Sequence, residues 1–244
     1  MAIADKSPGF PETRWSVIAR LTSADSGISH RALSTLCETY WYPIYAYFRR
    51  SGKSAHDAED LTQGLFARLV DRELLASADP DKGRLRTFLL TCARHFMTDA
   101  WHRETAAKRG GGETLQSFDP QLAEQRYVQE TADQMSPDRL YQRRWAMAVL
   151  ETSLEKLASA HSTTPEQREL FEALRPFLGF GETLSARYED IAEQMQIPVG
   201  TLKNKVFRLR QQWRELLFEQ VGQTLENPDP DSIRAELQEL LGAV

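Results

Sequence analysis

Cysteine is nearly absent from this 244-residue chain, which has only Cys37 and Cys92. Two thiols make neither a disulfide framework nor a Cys-rich zinc site, and a reduced, cytoplasmic setting is the default expectation. Glycine (13) and proline (11) are sparse and clustered. Strand-like alternation of β-branched residues is nearly missing, which leaves helical spacing as the organising pattern. No apolar run approaches the roughly 20 residues of a membrane-spanning helix. The opening MAIADKSPGFPETRW lacks an apolar signal core. An excess of positive charge is lacking too, because 30 Lys and Arg face 35 Asp and Glu, for a net charge of −5. That balance, taken alone, argues against a protein that coats nucleic acid or a membrane surface indiscriminately. The length implies one to two domains, each able to bury a core without staples.

What is present is helical periodicity. Leu33, Leu36, Tyr40, Ile44 and Tyr47 recur at steps of three and four over 30–50. Gly52 and Ser54 break that helix, and Ser54 is placed to cap the next, which carries Ala58, Leu61, Leu65 and Leu69 on one face. An Asp79-Pro80 turn precedes a third helix over about 83–104. The character then changes. Residues 113–136 hold five acids against Arg126, a balance of −4, between a glycine run at 110–112 and Pro137. This reads as a linker. Periodicity resumes with Leu140, Trp145, Met147, Leu150, Leu154 and Leu157. Further helices are predicted near 166–177, 186–195, 199–221 and, beyond Pro228 and Pro230, 231–241. The expected fold class is all-α: two helical domains over 28–104 and 138–225, the second with a helix-turn-helix. An N-terminal extension (1–27), the acidic linker (105–137) and an acidic tail (226–244) complete the chain. The tail has two readings, an autoinhibitor that covers the recognition helix or a solvated appendage, of which the second is favoured.

Net charge hides distribution. Residues 84–109 carry six basic side chains against Asp99 and Glu104, a balance of +4. Residues 201–214 carry Lys203, Lys205, Arg208, Arg210 and Arg214 with no acid, a balance of +5. Basic stripes on helices are the footprint of phosphate contact. On the first stripe, Leu85, Leu89, Cys92, Phe96 and Ala100 should face a core. Thr87, Thr91, Arg94, Thr98 and Trp101 form another face, suited to phosphates and an unstacked base. The second stripe follows a helix-turn-helix pattern. Ile191, Ala192 and Met195 lie in a short first helix, Gln196-Ile197-Pro198 is the turn, and Leu202, Val206 and Leu209 face inward on the second helix. Thr201, Lys203, Asn204, Lys205 and Arg208 then point outward, as base- and phosphate-contacting residues of a recognition helix do.

Other sites fail on their missing partners. His56-Asp57 lacks the further ligands of a metal-binding HD site, and His95, Asp99 and His102 read as an exposed polar face. The glycine run 110–112 lacks the Lys-Ser/Thr of a phosphate-binding loop. No Ser or Cys nucleophile has an evident base. No catalytic residue, metal or cofactor is expected.

The pattern resembles a bacterial RNA polymerase sigma factor, of the extracytoplasmic-function group of the sigma-70 family. The likeness covers most of the chain. Asp57-Ala58-Glu59-Asp60-Leu61-Thr62-Gln63, with Phe66 and Leu69, resembles the polymerase-binding helix of region 2. Gly83 to Leu89, then Ala93-Arg94-His95 and Asp99, resembles the part that melts and reads the −10 element. Tyr188 to Arg210 resembles region 4, which reads the −35 element. Thr13-Arg14-Trp15-Ser16 and Arg143-Arg144-Trp145-Ala146 look like a subgroup with extended termini. The resemblance implies that Asp57, Asp60, Gln63 and Phe66 dock on the coiled-coil clamp of the largest polymerase subunit. It implies −10 contacts from Arg84, Arg86, Thr87, Phe88, Thr91, Arg94, His95, Thr98 and Trp101. It implies −35 contacts from Thr201, Lys203, Asn204, Lys205 and Arg208. The implied partners are core RNA polymerase, promoter DNA and an anti-sigma factor or other regulator, with no membrane and no enzymatic activity. Two departures stand out: His95 replaces the family's usual Asn, and Gln196 its usual turn Gly. The alternative reading is a free-standing helix-turn-helix regulator whose N-terminal domain senses a ligand or dimerises.

Overall fold

The computed structural model describes residues 26–70, 84–104, 120–130, 135–178, 187–225 and 229–243. The Asp79-Pro80 turn, the extension up to residue 25 and linker residues 105–119 and 131–134 lie outside them. Among the described residues the regular elements are all helices, in keeping with the periodicity: α1 (Ser26–Arg50), α2 (Ala55–Val70), α3 (Leu85–Glu104), α4 (Pro120–Glu130), α5 (Pro137–Ala160), α6 (Pro165–Leu174), α7 (Tyr188–Gln194), α8 (Val199–Gly222) and α9 (Pro230–Ala243). A short 3-10 turn, Arg175–Leu178, follows α6. Among the described residues no helix is long and apolar enough to cross a membrane. The chain divides into two compact units. The first is Met1–Ala148 with Val221–Val244, and the second is Val149–Gln220.

In the first unit α1 is buried on more than one face. Leu36, Tyr40, Ile44 and Tyr47 are covered, and so are Cys37, Trp41, Tyr45 and Phe48 on the adjoining side. A helix apolar over so wide an arc needs neighbours on several sides. Its end is set locally. Gly52 takes φ +89°, the Lys53 N–H donates to the Phe48 carbonyl at 3.2 Å, and the Gly52 N–H to that of Arg49 at 3.1 Å. This is the Schellman closure, and it needs a residue without Cβ penalty at the left-handed position. Ser54 then caps α2, its Oγ accepting from the Asp57 N–H at 3.1 Å and donating to the Asp57 carboxylate at 2.6 Å. α2 buries Ala58, Leu61, Leu65 and Leu69 as the spacing predicts. At Gly64 the Phe96 ring of α3 comes so near that a Cβ would lie 2.9 Å from Cζ. Glycine therefore sets how closely α2 and α3 approach.

Part of the expected linker is an ordered helix of this unit. On α4, Glu124 accepts from Tyr45 Oη at 2.5 Å and from Arg49 Nε at 2.8 Å and Nη2 at 2.7 Å. The Arg49 guanidinium also lies over the Tyr127 ring at 4.9 Å, and that of Arg126 over Tyr42 at 4.5 Å. Hydrogen bonding to Arg49 holds the Glu124 carboxyl below its ordinary 4.5, against the opposing effect of burial.

The acidic tail also departs from expectation. Residues 230–243 form α9, with Ile233, Glu236 and Leu240 buried. Glu236 is fully covered, because two arginines at the start of α3 claim it. Arg86 Nε donates to Glu236 Oε1 at 2.6 Å and Nη2 to Oε2 at 3.2 Å, while Arg84 Nε lies 2.8 Å from Oε2. Glu239, one turn on, accepts from Arg86 Nη2 at 2.6 Å and also pairs with Arg84. Gln142 of α5 takes Arg86 Nη1, and the Trp145 ring lies 4.8 Å from the guanidinium carbon.

The second unit uses the later half of α5 with α6, α7 and most of α8. Phe171, Leu174, Phe177, Ala192, Leu202, Val206, Leu209 and Trp213 are buried. Trp213 Nε1 donates to Ser153 Oγ at 2.8 Å, and that hydroxyl donates on to the Leu150 carbonyl at 2.7 Å. Ile191, Met195 and Ile197, expected as core, are only half-buried. α7 closes through Gln196 at φ +53°, with the Ile197 N–H donating to the Ala192 carbonyl at 3.0 Å.

Three expectations follow. Glu236→Ala leaves the Arg86 charge buried without its main partner and should cost about 3–5 kcal/mol in urea unfolding. Hydrogen bonding to Arg84 and Arg86 holds the Glu239 carboxyl below 4.5, against the opposing effect of burial. A carboxylate whose folded pKa is depressed adds stability that is full above its unfolded value and is lost as pH falls through the folded one. Below pH 4.5 stability should therefore fall less steeply in E124Q/E239Q than in the parent, as read from unfolding midpoints across pH. Gln196→Gly relieves a left-handed backbone and should raise stability by about 1 kcal/mol.

Candidate nucleic-acid interface

The basic stripe of α3 divides along its length. Its first turn is engaged internally. Arg86 is 6% exposed and Arg84 is paired to Glu236 and Glu239. Burial lowers the Arg86 pKa, but its hydrogen bonds to Glu236 and Glu239 outweigh that and leave it raised, so the guanidinium stays charged. The −10 contact expected of Arg86 is corrected on this ground: four of its five N–H donors are taken by Glu236, Glu239 and Gln142, and the guanidinium is covered, so it is not presented to phosphate. Arg84 is one-third exposed but shares both of its acids with Arg86.

Apart from those two arginines the helix is amphipathic as predicted over its described side chains, which do not include Ala100. Leu85, Leu89, Cys92, Ala93 and Phe96 are buried, and Thr87, Arg94, His95 and Thr98 are exposed, with Thr91 and Phe88 half-covered. Arg94 Nη2 lies 2.8 Å from Asp138 Oδ2, and that hydrogen bond raises its pKa. The hydroxyls are less free than their number suggests. Thr91 Oγ1 donates to the Thr87 carbonyl at 2.9 Å and Thr98 Oγ1 to the Arg94 carbonyl at 3.0 Å. A hydroxyl whose proton is already used presents an acceptor, which suits base amino groups and not phosphate oxygens. The Trp101 side chain lies outside the described residues.

On α2 the expected docking residues separate. Asp60 is exposed, with His56 Nε2 3.6 Å away. Gln63 is half-exposed and donates to Glu59 at 3.0 Å. Asp57 is exposed but belongs to the helix cap, and hydrogen bonding to Ser54 lowers its pKa first. Phe66 is fully buried. Its expected place on the docking face is therefore corrected: it lies on the leucine side of the helix and packs the core.

In the second unit α8 carries the other stripe. Thr201, Lys203, Asn204 and Arg208 are exposed and Lys205 half-exposed. Their positions follow from the buried run of Leu202, Val206, Leu209 and Trp213, which fixes the opposite side outward. Lys203 Nζ sits 5.5 Å from the Tyr188 ring centre, and Tyr188 stacks on Phe177 at 4.2 Å. Arg210 is committed elsewhere: Nε and Nη2 donate to the Phe177 carbonyl at 3.0 and 2.6 Å. Lys205 and Arg208 have no acidic partner among the described residues. They border an open hollow of about 260 Å³ floored by Leu170, Phe171 and Leu174 of α6.

Sequence reasoning overlooked Phe207, 61% exposed amid these cations. Its place off the 202–206–209–213 stripe was the available signal. It also overlooked Glu236 and Glu239 as partners of α3, for which no local signal exists.

Residues 36–107 match the family model of sigma-70 region 2. No curated protein matches the chain. The match reaches from within α1 past the end of α3, and it supports a sigma-70 family role for the unit that presents the α2 and α3 faces. Region 2 is the sigma-70 domain that binds core RNA polymerase and the −10 promoter element.

Proposed function

We propose that the chain is a sigma factor of the extracytoplasmic-function group, which brings core RNA polymerase to one class of promoter in the cytoplasm. The observation that carries this is the region 2 match over α1–α3, joined to an α3 surface bearing Thr87, Thr91, Arg94, His95 and Thr98. In this reading the exposed Asp60 and Gln63 of α2 dock on polymerase. The α3 strip holds an unstacked strand of the −10 element, with Arg94 as its cation and Trp101 as the stacking ring. Extruding a base costs a few kcal/mol, which contacts to the flipped base offset. Arg84 and Arg86 position the start of α3, and Phe66 packs beneath α2.

The second unit supplies the −35 reader. α7, the turn at 195–198 and α8 form the helix-turn-helix, with α8 in the major groove. Lys203, Lys205 and Thr201 contact phosphates, and Asn204 and Arg208 reach base edges. Each reader alone is weak, but polymerase bound to both raises the effective concentration of each for its element.

Run-off transcription with core polymerase tests this directly. The protein should confer initiation at specific promoters, and failure to bind core would sink the reading. Asp60→Ala combined with Gln63→Ala should weaken core binding about tenfold with unchanged unfolding. Arg208→Ala should lower promoter binding about tenfold by loss of one base contact. Tight operator binding by the isolated protein, with no polymerase dependence, would favour a free-standing regulator instead.

A further inference from the structure

Phe207 is the feature of α8 that phosphate contact leaves unexplained. It is 61% exposed and has no ring or ion partner among the described residues. At 100° per residue, Phe207 falls with Gly200, Asn204 and Gln211 on the side of α8 opposite Leu202, Val206, Leu209 and Trp213. Cations occupy the shoulders of this face: Lys203 and Arg214 on one side, Lys205 and Arg208 on the other. A Cβ added at Gly200 would meet nothing within 4 Å, so the start of this face is open to close approach. The outward surface is therefore an apolar ring and amide groups between two rows of positive charge.

The major groove has the complementary order. Phosphates line its walls and base edges form its floor, and the only apolar group on that floor is the thymine methyl. An exposed phenyl ring held at the centre of a cationic helix face has one apolar complement there. Asn204 lies three residues earlier, within one turn, and its amide pairs with the N6 and N7 edge of adenine. We infer that Phe207 reads a thymine methyl in the −35 element, next to an adenine read by Asn204. This rests on α8 being the −35 reader.

The test uses the full chain with core polymerase and a pool of random-sequence duplexes. The parent should enrich a −35 sequence containing an adenine and a thymine at fixed spacing. Replacing that thymine by deoxyuridine removes only the methyl, and should weaken the parent complex about fourfold, the worth of one buried methyl group. Phe207→Ala, at an exposed site, should unfold like the parent and bind the two duplexes equally. A parent that binds thymine and deoxyuridine alike at every position overturns the assignment. So does a Phe207→Ala protein that keeps the discrimination. A pool that yields no enriched sequence for the parent overturns the −35 reading itself, and the assignment with it.

Discussion

The buried guanidinium of Arg86 organises the first unit. Arg86 cannot lose its proton in a protein, so wherever it is buried its charge must be met. Its Nε and Nη2 are met by Glu236 and Glu239, its Nη1 by Gln142, and its face by the Trp145 ring. Its own carbonyl accepts from Tyr141 Oη at 2.9 Å. Three helices far apart in the chain, α3, α5 and α9, thus converge on one side chain. Removing any acid leaves the charge but takes away its compensation, which makes such a network intolerant of partial loss.

That demand explains why α3 is not uniform. Arg84 and Arg86 tie its start to α9, while Thr87 and the turns after it present an outward face. The same economy recurs at Arg94, whose ion pair with Asp138 of α5 is half-exposed. Such a pair is worth little to stability, so Arg94 remains available for an anionic partner in a way that Arg86 is not. A stripe of like residues in the sequence is therefore two things in the fold: a fastening and a surface.

The acidity of the chain takes on a related meaning. The linker and tail each carry an excess of acid, which in the sequence looks like a screen against indiscriminate nucleic-acid binding. Several of those acids are inside the first unit, spent on its own cations: Glu124 on Arg49, and Glu236 and Glu239 on Arg84 and Arg86. On α8 the balance is different. Lys205 and Arg208 meet no acid among the described residues, so the positive surface there is uncompensated.

The sequence by itself determined whatever depends on near neighbours. Helical period is read over three or four residues, so most helices and their buried stripes were legible; α4, whose polar residues read as linker, and the half-buried Ile191 and Met195 were the exceptions. The close of α1 at Gly52, the cap at Ser54 and the outward set of α8 were also legible. The turn at Gln196-Ile197-Pro198 was legible too, but its left-handed backbone at Gln196 was not, because Gln carries no preference for that conformation. Only the tertiary structure decided which charged residues were surface. Glu236 lies 150 positions from Arg86, and nothing local to either announces the other. An acid among leucines reads as one polar point on an amphipathic helix until the arginine it faces is in place. Phe66 shows the converse: its position in a motif suggested exposure, but packing buried it. Local pattern specifies elements because hydrogen bonds and periodicity are short-ranged. Desolvation is a property of everything packed around a group, and it settled which charges became fastenings and which became surface.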